Sequence, residues 1–516
     1  MVKNNSLVYS KSWHPYLFGI YPVLFLYGYN ITQISLRELL LPLFLILIFT
    51  LIFVSITNFF SRDIYKTGII VSGFLVFIFS YVHFFDLATQ YFDITFQQKN
   101  RYLLWSGAFL IFSFIVIISL IKSNLKNLTV ILNLIALILV LIPLIRIGLY
   151  SIKSNIRSGN IKVPENIENN NSGYKIKSLE SKRDIYYIIF DRYGSEKSLK
   201  KYYNTDISGF TSELRKRGFY IASDSKANYQ GTDYSLVSSL NLDYLGNIDR
   251  RFSGNATDMK PLYALLRDYK VWHYLKDAGY SFIHFGSIWQ PTSKNNNADM
   301  NFNIGSTEDF KLALYKTTYI YNLGVEWGIY DYRIQQKKNI LYEFGKLGEM
   351  PLIKKTKFVF AHMLIPHPPY VFDNNGNFLD ENVVDNRPRV ENYRNSVLFA
   401  NKKILQLVDK LISRSEIKPI IIIQGDEGPY PERYENMGKE FQWLKATKEE
   451  LDEKMRIFNA YYLPGKETNL LYSNISPVNS FRLIFNMYFN TNYKLLQDKS
   501  YFTPDNKKPF EFQEIK

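Results

Sequence analysis

A series of long apolar stretches without charge, in the first 150 residues, most constrains what this chain can fold into. Five windows contain no Asp, Glu, Lys or Arg: Ser12–Leu36, Leu39–Ser61, Thr67–Phe85, Tyr102–Ile121 and Asn127–Ile145. A membrane-spanning helix needs about 20 mainly apolar residues, and four windows clearly meet that length. The first is apolar only over about Tyr16–Tyr29. We predict a transmembrane domain of five helices over residues 1–150.

The lysines and arginines of the short loops predict the orientation, because cytoplasmic loops carry an excess of these residues. With the N-terminus inside, the inner side holds Lys3, Lys11, Arg62, Lys66, Lys122 and Lys126, and the outer loops hold Arg37, Lys99 and Arg101. This distribution favours an inner N-terminus. Five spans then place everything after Leu149 outside, in a multi-pass protein of the cell membrane. If the first window does not span, the large C-terminal domain faces inward.

Composition excludes several classes of site. The 516 residues include no cysteine, which excludes a disulfide framework, a Cys-ligated metal site and a thiol nucleophile. The formal net charge of +15 is compatible with a lysine-rich surface or with attraction to anionic lipid head groups. Because there is no basic arm or nucleic-acid-binding motif, we predict no nucleic-acid partner.

After the last window the chain changes character. Residues 151–183 are polar and rich in Asn, Gly and Ser, which predicts a juxtamembrane linker. Beyond it, helical patterns at 234–245, 262–279 and 393–415 alternate with the apolar runs IYYIIF (185–190), FVFAHML (358–364) and PIIIIQ (419–424). Uninterrupted runs of this kind are typical of strands covered on both faces. We predict that residues 184–516 form an α/β domain.

Carboxylates and imidazoles follow these runs. Asp191 comes directly after the first run, His362 and His367 lie in or just after the second, and Asp426 and Glu427 follow the third. Ligands of open α/β sheets bind beyond the carboxyl ends of the strands, so these side chains are expected at one edge. A single Asp there is more often a turn or cap residue. Two adjacent carboxylates at a buried strand end, however, repel each other unless a cation neutralises them.

The segment ANYQGTDYSL (227–236) offers a nucleophile for a metal-dependent reaction. Thr232 lies at the predicted start of a helix, where a bound metal would lower the pKa of its hydroxyl. The helix N-terminus and Asn228 would stabilise an anionic substrate. A simple N-cap role for Thr232 has the same geometry, and the sequence leaves both readings open.

Four motifs in order carry a resemblance to a known family. They are DIYYIIFDRYGS, ANYQGTDYSLVSSLNLDYL, HMLIPHPPYVFD and IIIIQGDEGPY, over roughly residues 185–428. They resemble the sulfatase-like branch of the alkaline phosphatase superfamily. The five-helix anchor resembles that of lipoteichoic acid synthases and, more loosely, membrane phosphoethanolamine transferases. The resemblance implies a sulfatase-like α/β domain with a mixed, mainly parallel sheet.

The resemblance also implies roles for particular residues. One divalent metal would be held by Asp191, Thr232, Asp426 and Glu427, with Thr232 as the nucleophile. The histidines on the substrate side would be His367 and His284, which hold the phosphate and protonate the leaving oxygen; for His284 a structural role at a strand end is an equal alternative. Further expected substrate contacts are Asn228, Arg192, His362 and Trp289.

Two residue types refine this expectation. Many relatives carry His where this chain has Glu427, and a carboxylate there favours Mn²⁺ or Mg²⁺ over zinc. It also leaves open a degenerate, inactive site. Sulfatases of this superfamily use a Cys or Ser that is oxidised to formylglycine, and Thr232 cannot form that aldehyde. Phosphoryl-type transfer is therefore favoured over sulfate ester hydrolysis.

These observations predict a metal-dependent membrane phosphotransferase. It would move a phosphoglycerol- or phosphoethanolamine-like group from a phospholipid donor to a glycan or glycolipid acceptor, through a phosphothreonine intermediate. One alternative is a phosphodiesterase or sulfatase-like hydrolase that uses the same site with water. Another is a non-catalytic, glycan-binding membrane protein. The sequence leaves the donor, the acceptor and the oligomeric state open.

Overall fold

The structure is a computed structural model that describes residues 11–31, 34, 36–91, 96–160, 182–248, 252, 257–304, 309–329, 331–505 and 508–515. The chain forms two compact units. Unit 1 comprises Met1–Asn170 and Thr307–Asp331, and unit 2 comprises Asn171–Ser306 and Tyr332–Lys516. Residues 161–181, most of the predicted linker, lie outside the described residues.

The helices are α1 (His14–Tyr29), α2 (Arg37–Ser61), α3 (Ile64–Tyr91), α4 (Phe96–Leu120), α5 (Lys126–Asn160), α6 (Glu196–Tyr203), α7 (Ser208–Lys216), α8 (Thr232–Leu240), α9 (Leu245–Ile248), α10 (Lys260–Arg267), α11 (Lys270–Asp277), α12 (Gln290–Ser293), α13 (Asp309–Lys316), α14 (Tyr319–Glu326), α15 (Tyr332–Leu347), α16 (Glu381–Asp385), α17 (Arg389–Arg414), α18 (Glu432–Met437), α19 (Lys448–Met455) and α20 (Pro477–Tyr488). The strands are β1 (Ile185–Phe190), β2 (Phe219–Ile221), β3 (Ser281–Phe285), β4 (Met300–Phe302), β5 (Lys357–Met363), β6 (Ile420–Gly425), β7 (Asn459–Tyr462), β8 (Tyr501–Phe502) and β9 (Gln513–Glu514).

Four helices of unit 1 are long and apolar enough to cross a membrane: Arg37–Ser61, Ile64–Phe84, Asn100–Leu120 and Lys126–Ile152. The four clear spans of the prediction are confirmed. The fifth predicted span is not among these four, because α1 has only 16 residues. At 1.5 Å per residue such a helix covers about 24 Å of a hydrocarbon core about 30 Å thick. In the part of the chain that the structure describes, four helices can therefore span a membrane by length and composition, and α1 is a shorter fifth helix.

Although short, α1 packs beside α5 and runs in the same direction. At its start the His14 amide donates to Asn133 Oδ1 at 2.9 Å. Near its end Gly28 lies against α5, since a methyl group at Gly28 would touch Pro143 and Ile147. The N-terminus of α1 thus lies towards the end of the helix bundle where α5 begins, and the C-terminus of α1 lies towards the opposite end of the bundle.

Unit 2 is built on a seven-stranded sheet of order β2-β7-β6-β1-β5-β3-β4. Strand β1 is central and pairs in parallel with both β5 and β6. Strands β3 and β4 continue the parallel part, whereas β7 runs antiparallel to β6 and to β2. The expectation of a mixed, mainly parallel sheet is confirmed, and the three apolar runs predicted as strands form β1, β5 and β6.

Both faces of the sheet are covered, which explains why its central strands lack alternation. In β1, Tyr186 and Ile188 pack into one apolar core, and Tyr187 and Ile189 pack into the other. Each of these side chains is fully buried. Helices α8, α11 and α20 contribute to the core on the Tyr187 face, and α15 and α17 contribute to the core on the opposite face. Since helices cover both faces, the open edges at the strand ends are left for polar groups.

One predicted helix is divided. The pattern at 262–279 forms two helices, α10 and α11, separated by Asp268 and Tyr269. The Lys270 amide at the start of α11 donates to Asn241 Oδ1 at 3.2 Å, and Tyr269 is buried in the core. Tyr269 therefore enters the core from the break between the two helices and not from a helical turn.

If α1 crosses the bilayer, residues before and after it must be accessible from opposite sides. Because the chain has no cysteine, Lys11→Cys and Leu36→Cys each provide a single reactive thiol. In intact cells an impermeant maleimide should label Leu36→Cys, whereas Lys11→Cys should react only after permeabilisation. Labelling of both variants from the same side would contradict a crossing by α1.

Candidate metal and active site

Three neighbouring strands bring acidic and imidazole side chains to one edge of the sheet. Asp191 is the first residue after β1, and Asp426 is the first after β6. His362 lies on β5 opposite Ile189 of β1. Since β1 lies between β5 and β6 in a parallel arrangement, the three side chains emerge at the same end. All three are buried.

These three side chains have the geometry of a metal site. One ligand atom from each of Asp191, His362 and Asp426 lies within 4.8 Å of the others. Among the described residues, Asp191 Oδ1, Asp426 Oδ2, His362 Nε2 and Glu427 Oε2 are buried without a hydrogen-bond partner. Buried polar atoms are normally paired, and unpaired buried carboxylates are costly. The donor set therefore fits a divalent cation.

His362 is held from behind by residues on two other elements. Its Nδ1 lies 2.9 Å from the Thr292 hydroxyl, which leaves Nε2 facing Asp191 Oδ2 at 3.5 Å. The Thr292 carbonyl in turn accepts a hydrogen bond from His284 Nε2 at 2.7 Å. The Trp289 ring meets the His362 ring edge-on at 5.7 Å. Such partners of a metal-binding imidazole fix its orientation.

Glu427 is paired with a buried lysine. Lys454 Nζ lies 2.7 Å from Glu427 Oε1 and donates to the Gly428 carbonyl at 3.1 Å. The Lys454 side chain is fully buried. A side chain at Gly428 would collide with the backbone of Glu453 and Lys454, so glycine is required for this close approach. One oxygen of Glu427 is thus neutralised within the protein, and the other remains available.

Arg192 is a second cation beside Glu427 Oε1. Its Nε is 3.5 Å from Glu427 Oε1, and its guanidinium lies over the Tyr430 ring at 4.2 Å. The Lys454 ammonium contacts the same ring at 3.3 Å. The Arg192 amide donates to Asp426 Oδ1 at 3.1 Å, from a left-handed backbone conformation with φ 62°. Two cations therefore border the carboxyl groups, and the Arg192 side chain is 18% exposed.

Thr232 is the first residue of α8, and Gly231 occupies the N-cap position. The simple capping role for Thr232 is therefore not what the structure shows. Its side chain is half-buried and lies next to the Asp426 carboxyl, where it partly opposes the rise that burial causes in the pKa of Asp426. The Ser235 hydroxyl donates to the Asp426 carbonyl at 2.7 Å and ties α8 to the loop after β6. The nucleophile candidate thus adjoins the cluster.

Burial controls the titration of the carboxyl groups. It raises the pKa of Asp426 to about 7, and the neighbouring Asp191 adds to that rise. It also raises the pKa of Glu427 to about 7, although Lys454 opposes the shift. For Asp191 burial acts in the same direction, but His367 and His362 outweigh it and hold its pKa below the usual range. Bound protons would have to leave two of these groups when a cation binds, so cation affinity should fall below about pH 7.

Other predicted site residues lie at different distances from the cluster. His367 is near enough to Asp191 and Arg192 for both to act on its pKa, which burial lowers to about 4. His284 is buried behind Thr292, as described above. Asn228 is engaged elsewhere, because its amide donates to the Lys499 carbonyl at 2.9 Å and its oxygen accepts from the Val478 amide at 2.8 Å. Its predicted contact with an anionic substrate would require these bonds to break.

Sequence reasoning missed Lys454 and Tyr430. Tyr430 stands three residues after Glu427, and the motif IIIIQGDEGPY contains it, but nothing in the motif indicates its stacking on cations. Lys454 lies near the end of α19, in a charged helix that reads as a solvated surface. The sequence could have indicated Lys454 only indirectly, because a buried Glu427 needs a cationic partner.

No protein-family model matches the sequence, and no curated protein matches it. Among solved structures, the integral membrane lipooligosaccharide phosphoethanolamine transferase A (EptA) from Neisseria meningitidis is 14% identical to this chain. The match covers 92% of this chain and 95% of that chain, with a TM-score of 0.40. The C-terminal periplasmic domain of phosphoethanolamine transferase EptC from Campylobacter jejuni is 9% identical, with 64% and 95% covered and a TM-score of 0.39. The corresponding domain of EcEptC from Escherichia coli in complex with Zn is 12% identical, with 64% and 91% covered and a TM-score of 0.39.

Removal of a cluster imidazole should reduce metal binding. We expect His362→Asn to lower the affinity for Mn²⁺ about tenfold or more, because it removes one of three converging ligands. Equilibrium dialysis of the purified protein measures this affinity. His273→Asn is the matched control, since His273 is an exposed histidine paired with Asp268. Equal affinities of the two variants would contradict the metal site.

Removal of the Lys454 ammonium should destabilise unit 2. Lys454→Met leaves the buried Glu427 without its closest cation, a change that typically costs about 3–5 kcal/mol. The measurement is the unfolding midpoint of the full chain in detergent. Adding Glu427→Gln to Lys454→Met should recover much of the loss, because the unpaired charge is then gone. An unchanged midpoint for Lys454→Met would rule out the importance of the pair.

Proposed function

We propose that this chain is a metal-dependent membrane phosphotransferase. It moves a phosphoglycerol- or phosphoethanolamine-like group from a phospholipid donor to a glycan or glycolipid acceptor through a phosphothreonine at Thr232. The observation that carries the proposal is the convergence of unpaired, buried ligand atoms of Asp191, His362 and Asp426 beside the Thr232 helix start. A structural ion pair would leave no such set of open ligand positions.

The proposed cation is Mn²⁺. Asp191, Asp426 and His362 would hold it, with the free oxygen of Glu427 and the Thr232 hydroxyl as further ligands. Carboxylate oxygens outnumber the single imidazole, which is why we retain Mn²⁺ ahead of zinc. When bound, such an ion acts as a Lewis acid and lowers the pKa of a coordinated hydroxyl.

The charge balance supports binding of a phosphate group. When ionised, the three carboxyl groups carry one more charge than the cationic side chains of Arg192 and Lys454. A divalent cation would therefore make the net charge of the site positive. Lys454 is committed to Glu427 and Gly428, whereas the Arg192 guanidinium is partly exposed and supported by the Tyr430 ring. We assign Arg192 to the phosphate oxygens, for which its planar, multiple donors are suited.

His367 is assigned to the second step. Its Nδ1 contacts the Pro368 carbonyl, which can only accept, so the proton is on Nδ1 and Nε2 carries a lone pair. Burial lowers the pKa of His367 to about 4, so the ring is neutral at physiological pH. Its Nε2 lone pair is therefore free to accept the proton of the acceptor hydroxyl.

The reaction has two displacements at phosphorus. In the first, Thr232 Oγ forms a bond to the phosphorus, the bond from phosphorus to the lipid oxygen breaks, and the proton of the Thr232 hydroxyl passes to the departing lipid alcohol. In the second, the acceptor oxygen forms a bond to the same phosphorus while the bond from phosphorus to Thr232 Oγ breaks, and His367 takes the proton of the acceptor hydroxyl and returns it to Thr232 Oγ. The side chain of Thr232 is restored at the end.

The surroundings of Glu427 support an active site over the inactive, degenerate site that the sequence left open. The substitution of a carboxylate at this position is matched by Lys454 at 2.7 Å and by Arg192 at 3.5 Å, so its charge is compensated within the fold. The membrane helices of unit 1 fit a lipid donor. An outward-facing site requires the shorter α1 to cross as well, and in that arrangement the inner loops carry the excess of basic residues.

Variants at Thr232 provide the test. Purified protein is incubated with Mn²⁺ and a phospholipid labelled in its head group, and protein-bound label is measured after denaturation. We expect label on the wild type, less on Thr232→Ser and none on Thr232→Val, which keeps the side-chain shape but lacks the hydroxyl. Equal labelling of wild type and Thr232→Val would overturn the proposal. Release of the labelled group into water as the main product would favour the hydrolase.

A further inference from the structure

Unit 1 includes a segment far in sequence from its membrane helices. Residues 307–331, with α13 and α14, belong to unit 1, although the chain on either side of them belongs to unit 2. Each of these helices has eight residues and is too short to cross a membrane. We call this segment the insertion.

The insertion is attached to the end of a membrane span. Asn100 is the first residue of the span Asn100–Leu120, and its amide donates to the Asn322 carbonyl at 3.4 Å. Arg101 forms an ion pair with Glu326 at 2.7 Å. The Tyr319 hydroxyl donates to the Leu104 carbonyl at 2.8 Å. Helix α14 therefore lies at the depth where the apolar part of α4 begins.

Contacts with other helices give the same position. The Tyr319 ring meets the Tyr81 ring edge-on at 4.9 Å, close to the C-terminal end of the span Ile64–Phe84. Phe310 of α13 meets Tyr27 near the end of α1 at 6.2 Å. The insertion thus covers the end of the bundle where α1 and α3 finish and α4 begins.

Large apolar side chains of the insertion remain exposed beside these contacts. Ile320, Trp327 and Ile329 are 47%, 67% and 75% exposed, respectively. Trp327 directly follows Glu326, the partner of Arg101. On α4, Tyr102 and Trp105 at the same end of the span are also exposed. Tyrosine and tryptophan are enriched where a protein meets the head-group region of a bilayer.

We propose that the insertion is a lipid-binding element in which Ile320, Trp327 and Ile329 lie in the head-group and upper acyl region of the same bilayer that α2–α5 cross. The occupant of this apolar surface is the lipid, because the surface continues from the start of a membrane span through Asn100 and Arg101. This inference concerns unit 1 alone and does not depend on the chemistry proposed for unit 2.

Nitroxide labelling tests the proposal on the full chain. Ile329→Cys gives one thiol in a protein without cysteine, and its high exposure makes the substitution compatible with folding. The matched control is Leu470→Cys, an exposed apolar position of unit 2 at 55% exposure. Both labelled proteins are reconstituted in vesicles of phosphatidylcholine and phosphatidylglycerol, and collisions with oxygen and with a water-soluble nickel chelate are measured by electron paramagnetic resonance.

We expect the ratio of oxygen to nickel collisions to be at least about threefold higher at position 329 than at position 470, because oxygen concentrates in lipid and the chelate does not. Equal ratios would overturn the proposal. Protection from both reagents, with dipolar broadening between labels, would instead indicate contact with a second copy and would also overturn it.

A second variant tests whether the attachment to α4 sets the depth. Glu326→Gln in the Ile329→Cys protein removes the charge that pairs with Arg101. We expect a lower ratio of oxygen to nickel collisions at position 329, while Lys346→Gln, which breaks an exposed pair with Glu349 in unit 2, should leave it unchanged. A ratio unaffected by Glu326→Gln would contradict the role of this ion pair.

Discussion

The site in unit 2 depends on the burial of three carboxyl groups beside one another at the ends of β1 and β6. Asp191, Asp426 and Glu427 are all buried, and burial raises the pKa of Asp426 and of Glu427, with a further contribution from the neighbouring carboxylates. The fold compensates part of this charge with Lys454 and Arg192. The remaining open atoms define where a cation is needed, and the position of α8 follows from its bond to the same loop.

Much of the architecture could be predicted because it rests on local patterns. The uninterrupted apolar runs became β1, β5 and β6, since strands covered on both faces need no polar alternation. Their parallel arrangement then brought Asp191, His362 and Asp426 together, as the position of strand ends requires. The first window was counted as a span although it is apolar only over about Tyr16–Tyr29, and the helix that it forms, α1, ends at Tyr29. The division of α10 from α11 depends on Asn241, which lies outside the pattern.

The parts that could not be predicted depend on contacts between distant segments. Lys454 lies on a helix with the composition of a surface element, and only the folded chain shows that its ammonium is buried under Glu427. Asn228 was a reasonable ligand for an anion on its position alone. In the structure its amide joins the segment before α8 to the C-terminal region, through Lys499 and Val478. Pairings of this kind leave no signature in a single sequence.

The course of the chain through the insertion has a consequence for how the protein can be divided. Unit 2 is discontinuous, because residues 307–331 belong to unit 1, where α13 and α14 contact the ends of the membrane helices. A soluble fragment beginning near residue 182 would carry Phe310 and Tyr319 without the helices that cover them, and would tend to aggregate in water. Replacement of the insertion by a short flexible tether would be the appropriate truncation for crystallisation.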